Sequence, residues 1–114
     1  MIKTAQYNFP WIGITPFTLI TADILGYGLP GGIEGVKVLM IDREGPAHKA
    51  GIAASIVNEF GQEELGDIIT AIGGHQISSA DQFNYIEEKT LVGDTVNLSV
   101  FRNGNTINVP VVIG

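Results

Sequence analysis

Apolar residues recur along the chain in short runs separated by turn-forming residues, which is the pattern of a domain built mostly from β-strands. The first run is a short strand that Thr15 and Pro16 are expected to end. The last two strands are joined by Asn103 and Gly104, and Asn-Gly favours a tight hairpin turn because both positions tolerate positive φ. The predicted strands cover residues 11–14, 36–41, 67–72, 95–101 and 106–113.

Two segments, residues 18–25 and 80–90, have the apolar spacing of helices, and Ser79 is a good N-cap for the second. Residues 46–50 add one helical turn, which Gly51 ends. Residues 52–65 fit neither pattern and are interpreted as a small hairpin or surface excursion. The chain is therefore predicted to be a single α+β, mostly β domain over residues 1–114, with residues 1–10 as a lead-in.

Composition narrows the range of partners. A chain of 114 residues with 45% apolar residues is long enough to bury a core, and with no cysteine it has neither disulfides nor thiolate chemistry. The six basic residues are scattered and the net charge is −6, so nucleic acid is not a predicted partner. No apolar run approaches the length of a membrane span, and the start of the chain lacks the apolar core of a secretion signal.

One motif imitates a cofactor site. Residues 26–31 match the Gly-x-Gly-x-x-Gly pattern of dinucleotide-binding loops. Such a loop must lie between a strand and the N-terminus of a helix, whereas here a predicted helix precedes it and a strand follows. Pro30 also removes one backbone N–H donor from the loop. The sequence therefore predicts no cofactor.

Catalytic and metal sites are not predicted either. None of the four serines lies in a glycine-flanked elbow, and His48 and His75 are interpreted as exposed polar residues. Two histidines without carboxylates at ligand spacing make a poor metal site. The acidic pairs Glu63-Glu64 and Glu87-Glu88 are interpreted as solvated surface, because neighbouring carboxylates in sequence do not face each other across a cleft.

The sequence Trp11-Ile12-Gly13-Ile14 is the most informative local feature. Its simplest interpretation is an apolar strand with a glycine bulge. A second interpretation is that Gly13 allows an anion to approach consecutive backbone N–H groups, an arrangement that can capture the C-terminal carboxylate of a peptide. The sequence alone leaves both interpretations open.

Five motifs, in order from Trp11 to Val112, resemble those of PDZ domains attached to HtrA-type serine proteases. The WIGI motif resembles the carboxylate-binding loop of that family. The further motifs are the segment Leu25–Val38, the GPAHKAGI turn at residues 45–52, the GDIITAIGG segment at residues 66–74, and the pair GDTV and VFRNG at residues 93–96 and 100–104. The longer connection 52–65 departs from most members and looks more like archaeal-type members, and Val92 replaces the proline usual before Gly93.

The resemblance implies a PDZ-like fold, a partly open antiparallel β-barrel or sandwich with two helices and a circularly permuted topology. It implies that peptide or unfolded-protein C-termini bind by strand addition, in a groove between the first strand and helix 80–90. The implied carboxylate-binding loop consists of Trp11, Ile12, Gly13 and Ile14. The implied peptide groove or pocket consists of Phe17, Phe83, Ile86 and Thr90. Plain core packing is an equal interpretation of the pocket residues on the helix.

For the parent protein, the resemblance implies a serine protease domain in the same chain, with this module recruiting substrate or regulating the protease. It also implies an extracytoplasmic or membrane-associated location. Two alternatives remain open, a stand-alone scaffold or adaptor domain and a PDZ domain of a different, membrane-embedded metalloprotease. No proteolytic activity is expected from this chain alone, because no nucleophile and base are arranged for it.

Overall fold

The structure is a computed structural model that describes residues 10–114. Most of the predicted lead-in, residues 1–9, therefore lies outside the described residues. The longer elements are five strands, β1 (Ile14–Thr18), β2 (Val36–Ile41), β5 (Ile68–Ile72), β7 (Thr95–Arg102) and β8 (Asn105–Val112), and helix α3 (Ala80–Glu88). The shorter elements are α1 (Thr21–Gly26), α2 (Pro46–Lys49), β3 (Ile56–Val57), β4 (Glu63–Glu64) and β6 (His75–Gln76).

The longer strands form one antiparallel sheet in the order β1-β2-β5-β7-β8, and β6 pairs with β5 at the side of this path. The sheet does not close into a barrel, so β1 and β8 are its two edges among the described residues. The prediction of a mostly β, antiparallel α+β fold is confirmed. The structure has three short helices rather than two, because residues 46–49 complete a helical turn of their own.

The core lies between one face of the sheet and helices α2 and α3. It consists mainly of alternate strand residues, because successive side chains of a strand point to opposite faces. Val36 and Val38 of β2 are buried on this face, where Ala47 of α2 and Phe83 of α3 also pack. Lys37, between the two valines, therefore points to the other face. Packing of this kind fixes which face of α3 is turned toward the sheet.

Two local predictions are confirmed, the hairpin turn at Asn103-Gly104 and the helix N-cap at Ser79. Asn103 and Gly104 have φ of 51° and 81°, as a tight hairpin turn requires, and Arg102 pairs directly with Asn105. Ser79 caps α3, because its Oγ accepts a hydrogen bond from the Gln82 N–H at 3.1 Å. The helix ends at Glu88, two residues earlier than predicted.

The first strand differs from the prediction. Thr15 and Pro16 do not end it; β1 runs through both residues to Thr18. A proline can occupy an edge strand when its nitrogen faces away from the neighbouring strand. The register has an irregularity between Thr15 and Pro16, after which Pro16 lies opposite Val38. The strand is therefore five residues long and lies beside α3 over its whole length.

Residues 56–64 form a two-stranded hairpin, β3–β4, attached to the outer face of the sheet. Glu63 forms an ion pair with Lys37 at 3.2 Å, and Asp23 of α1 forms a second at 3.0 Å. Burial alone would lower the pKa of Lys37, but its hydrogen bonds to Asp23 and Glu63 outweigh burial and raise it. Glu63 is thus not the freely solvated residue that the sequence predicted.

The excursion is shorter than residues 52–65. Ile52 is buried in the core, and the Ser55 N–H donates to the carbonyl of Val38 at 2.8 Å. The pairing of Ile56 with Glu64 brings the two ends of the hairpin together. Only residues 56–64 therefore project from the domain, and they do so on the face of β2 that carries Lys37, opposite the face against which α3 packs.

Candidate functional site

The outer side of the edge strand β1 pairs with no other strand in the part of the chain that the structure describes. Among residues 10–114, β2 is the one strand that pairs with β1. The Asp42 N–H donates to the carbonyl of Gly13, and the Leu19 N–H donates to the carbonyl of Gly35. Since bonded and non-bonded pairs alternate along an antiparallel ladder, the backbone groups of Ile14, Pro16 and Thr18 point outward. This edge therefore offers three carbonyls but only two N–H donors, because proline has none.

Helix α3 lies along this edge and is held to it at both ends. Near its N-terminus, the Ala80 N–H donates to Oγ1 of Thr18 at 2.8 Å. Near its C-terminus, the carboxylate of Glu87 accepts a hydrogen bond from the Ile12 N–H at 3.0 Å. Ala80, Phe83 and Glu87 follow the spacing of one helix face, and this face is turned toward β1. The result is a groove between β1 and α3 with one hydrogen bond across each end.

The loop before β1 is anchored through its carbonyls. Each carbonyl accepts one hydrogen bond of 2.9–3.0 Å, that of Trp11 from the Gly114 N–H, that of Ile12 from the Ala47 N–H and that of Gly13 from the Asp42 N–H. The Trp11 indole N–H also donates to the Asp42 carboxylate at 3.3 Å. Gly13 has φ of +88°, a conformation that favours glycine. Because its carbonyls are bonded to the rest of the domain, this loop directs the N–H groups of Ile12 and Ile14 toward the groove, as an anion-binding nest does.

Glu87 is the residue that sequence reasoning missed. It was interpreted as solvated surface, but its side chain is partly buried and its carboxylate lies at the nest. Burial raises the pKa of Glu87, the hydrogen bond from Ile12 opposes that rise, and the neighbouring carboxylate of Glu88 adds to it. The available signal was spacing: Glu87 follows the core residue Phe83 by four positions and so shares its face of the helix.

We expect Glu87→Gln to be at least as stable as the wild type at neutral pH. A carboxyl whose pKa is raised on folding binds its proton more tightly in the folded state, so its ionisation above the ordinary pKa costs stability. The advantage of the Gln variant should shrink as the pH falls through the raised pKa toward the unfolded-state value. Urea unfolding at several pH values would measure this. Glu88→Gln, at an exposed position, is the control for removing a charge without burial; an advantage of Glu87→Gln that grows toward acid pH would contradict the prediction.

The other predicted site residues do not all face this groove. Ile14 is partly buried against the core, whereas Phe17 lies on the opposite face of β1, with its ring centroid 5.1 Å from Nζ of Lys37. Phe83 is fully buried, as the core-packing interpretation has it. Ile86 and Thr90 line a depression formed with the β5–β6 turn and β7, which includes no residue of β1. Thr90 also donates to the carbonyl of Glu87 at 2.7 Å, a contact that closes the end of the helix.

His48 and Ser79, two of the polar residues considered for catalysis, have structural partners. The Glu44 N–H donates to Nδ1 of His48 at 3.2 Å, and Ser79 caps α3. Within the described part of the chain, no three metal-ligating side chains are grouped where they could hold an ion. The same residues include no helix with both the length and the apolar character needed to cross a membrane.

The domain is an α+β fold with an open antiparallel sheet, and its edge strand runs beside a helix. The groove between them has an amide nest at one end, which is the arrangement of a peptide-binding domain. A family model described as the PDZ domain matches residues 10–113. The chain therefore belongs to the PDZ domain family, whose members are non-catalytic modules. This confirms the resemblance drawn from the five sequence motifs.

The relatives of this chain are proteases of the Do or HtrA type. It is 34% identical to Protease Do-like 1, chloroplastic, of Arabidopsis thaliana, over 72% of this chain and 19% of the relative. It is 28% identical to a probable periplasmic serine endoprotease DegP-like of Halomonas elongata, over 91% of this chain and 19% of the relative. The chain thus spans about a fifth of the length of either protein.

A solved structure shows the same fold. The HtrA-type protease AlgW with decapeptide has a TM-score of 0.75 and 24% identity to this chain, over 93% of this chain and 29% of the AlgW chain. At this identity the likeness concerns the fold. The PDZ-like architecture expected from the sequence is therefore confirmed by the structure and by this neighbour.

Proposed function

We propose that this domain binds an extended peptide as an additional antiparallel strand on the free edge of β1, inside the groove beside α3. The observation that carries the proposal is the outward alternation of Ile14, Pro16 and Thr18 on an edge strand that faces a helix. Main-chain hydrogen bonds at such an edge supply affinity, and the flanking side chains select the ligand. The solved relative AlgW, described with a decapeptide, supports a peptide as the ligand class.

The proposed antiparallel pairing sets the direction of the peptide. An antiparallel partner of β1 ends beside the start of that strand, where the loop of Trp11, Ile12, Gly13 and Ile14 turns N–H groups toward the groove. The peptide's C-terminus therefore meets the nest, and its preceding residues follow β1 toward Thr18. The apolar wall next to the peptide's last side chain comes from Ile14 and Pro16 rather than from Phe17, which lies on the other face of the strand.

In its parent protein, we propose that the module recruits substrates to an HtrA-type serine protease or regulates it. The Do-like and DegP-like relatives support this role over a stand-alone adaptor or a metalloprotease module, because both are proteases that extend far beyond the matched segment. The periplasmic and chloroplastic descriptions of these relatives support a parent that acts outside the cytoplasm.

The test is to select ligands from a pool of random decapeptides with free C-termini, and then to methylate each backbone nitrogen of the tightest ligand in turn. Alternate residues of an added strand bond to β1, so methylation at every second residue should weaken binding by about tenfold, the loss of one hydrogen bond of roughly 1.5 kcal/mol. The residues between them should tolerate methylation. No bound peptide, or losses without a period of two, would overturn the proposal.

A variant that lacks the outer hairpin is the matched control for the location of the site. Joining Ser55 to Leu65 through an Asn-Gly turn removes residues 56–64, whose ends already lie side by side. Peptide affinity should change by less than about twofold, because the hairpin is on the other face of the sheet. Stability should fall, because Lys37 loses the carboxylate of Glu63. A large loss of affinity in this folded variant would place the hairpin in the binding site.

A further inference from the structure

We propose that Glu87 determines specificity by filling the carboxylate nest with a carboxylate of its own. The inference rests on the proposed function and deepens it. The Ile12 N–H donates to Oε2 of Glu87 at 3.0 Å. A peptide's terminal carboxylate is the same chemical group and needs the same donor. Glu87 therefore acts as an internal competitor that reduces the groove's preference for free C-termini over neutral peptide ends.

The two carboxylates exclude each other at the nest. One N–H supplies one strong hydrogen bond, and like charges brought together in a partly buried site repel each other with little screening. Among residues 10–114, Lys37 and Arg102 are the cationic residues that form ion pairs, and neither pairs with Glu87. A free C-terminus must displace Glu87 before it gains the nest, whereas an amide end carries no charge to be repelled.

The position of Glu87 makes it a displaceable competitor rather than a permanent block. It is on the last turn of α3, which ends at Glu88, and the Ile12 N–H is the one hydrogen-bond donor to its carboxylate among the residues that the structure describes. Rotation of its side chain uncovers the nest without moving the helix. Glu88, the next residue, has the same charge but is exposed, so it offers a matched control for charge without contact.

The test compares one peptide as the free acid and as the C-terminal amide on four proteins: the wild type, Glu87→Ala, Glu87→Gln and Glu88→Ala. The peptide is the tightest ligand from the decapeptide pool, which is applied to both the wild type and Glu87→Ala. The measured quantity is the ratio of acid affinity to amide affinity, in which effects common to both peptides cancel. Circular dichroism and thermal melting establish that each variant is folded.

In the wild type we expect this ratio to be small. In Glu87→Ala it should rise to about tenfold to a hundredfold, the value of one or two hydrogen bonds from the nest to a charged group. Glu87→Gln should give an intermediate ratio, and it carries the test if the Ala variant does not fold. Glu88→Ala should change the ratio by less than about twofold, because an exposed charge is screened.

The outcomes separate the two proposals. An unchanged ratio in Glu87→Ala, or an equal rise in Glu88→Ala, would overturn the role of Glu87 while peptide binding stands. Failure of every peptide to bind both the wild type and Glu87→Ala would overturn the proposed function itself. An independent readout is the amide ¹H shift of Ile12 in the ligand-free proteins, which should change in Glu87→Ala and stay constant in Glu88→Ala.

Discussion

Replacing Phe83 by alanine should lower the free energy of unfolding by about 3–5 kcal/mol, a large part of what a domain of this size possesses. The ring is fully buried on the face of α3 that packs against the sheet, in the same cluster as Val36 and Leu98. Its removal forfeits the transfer free energy of the side chain and leaves a cavity that a two-layer domain can fill only in part. Phe83→Asp should leave the domain unfolded at 25 °C, because it adds an unpaired buried charge.

Urea unfolding followed by circular dichroism would measure this effect. Tyr85→Ala is the matched control, since Tyr85 is an aromatic residue of the same helix that is 60% exposed. Its substitution should cost less than about 1 kcal/mol. A loss of less than about 1.5 kcal/mol in Phe83→Ala would show that α3 does not depend on this ring. The result also decides how the groove can be probed, because substitutions at Phe83 then report on folding rather than on peptide affinity.

Asp67→Ala should cost about 3 kcal/mol, the lower end of the range for removing one partner of a buried ion pair, because the Arg102 side chain is 35% exposed. Asp67 is 2% exposed and joins three parts of the domain. Its carboxylate accepts two hydrogen bonds from Arg102, at 2.8 and 2.6 Å, and a third from the Ala53 N–H at 2.8 Å. The substitution leaves that N–H and part of the guanidinium unpaired, at the point where β5, β7 and the turn after α2 meet.

A double-mutant cycle would test the pairing. Arg102→Ala should also destabilise strongly, because it leaves the Asp67 carboxylate buried without a counter-ion. The double variant should cost less than the sum of the two single losses by at least about 1 kcal/mol. Asp94→Ala, which removes an exposed carboxylate, should change stability by less than about 0.5 kcal/mol. Additive losses at Asp67 and Arg102 would mean that the two side chains do not act as a pair.

The sequence by itself determined the features that depend on neighbouring residues. Asn103-Gly104 specified its turn because two consecutive positive φ angles restrict the residue types, and Ser79 specified the start of α3 because its side chain bonds three residues ahead. The Gly13 loop could be located for the same reason, since only a backbone free of a β-carbon readily adopts its φ of +88°. The five sequence motifs, taken in order, were sufficient to identify the family.

Only the tertiary structure decided which face of each element meets its neighbour. In β1, Ile14 and Phe17 lie on opposite sides of the strand, and an apolar residue on each side leaves the direction of the core undetermined. In α3, Phe83 is fully inside the core, while Ile86 packs at the margin of the core and lines the depression beside the β5–β6 turn, a difference fixed by packing against the sheet. The place of Glu87 in the groove also depends on the tertiary structure, because the Ile12 N–H that its carboxylate contacts is 75 residues away in sequence. A contact at that separation exists only once the chain has folded.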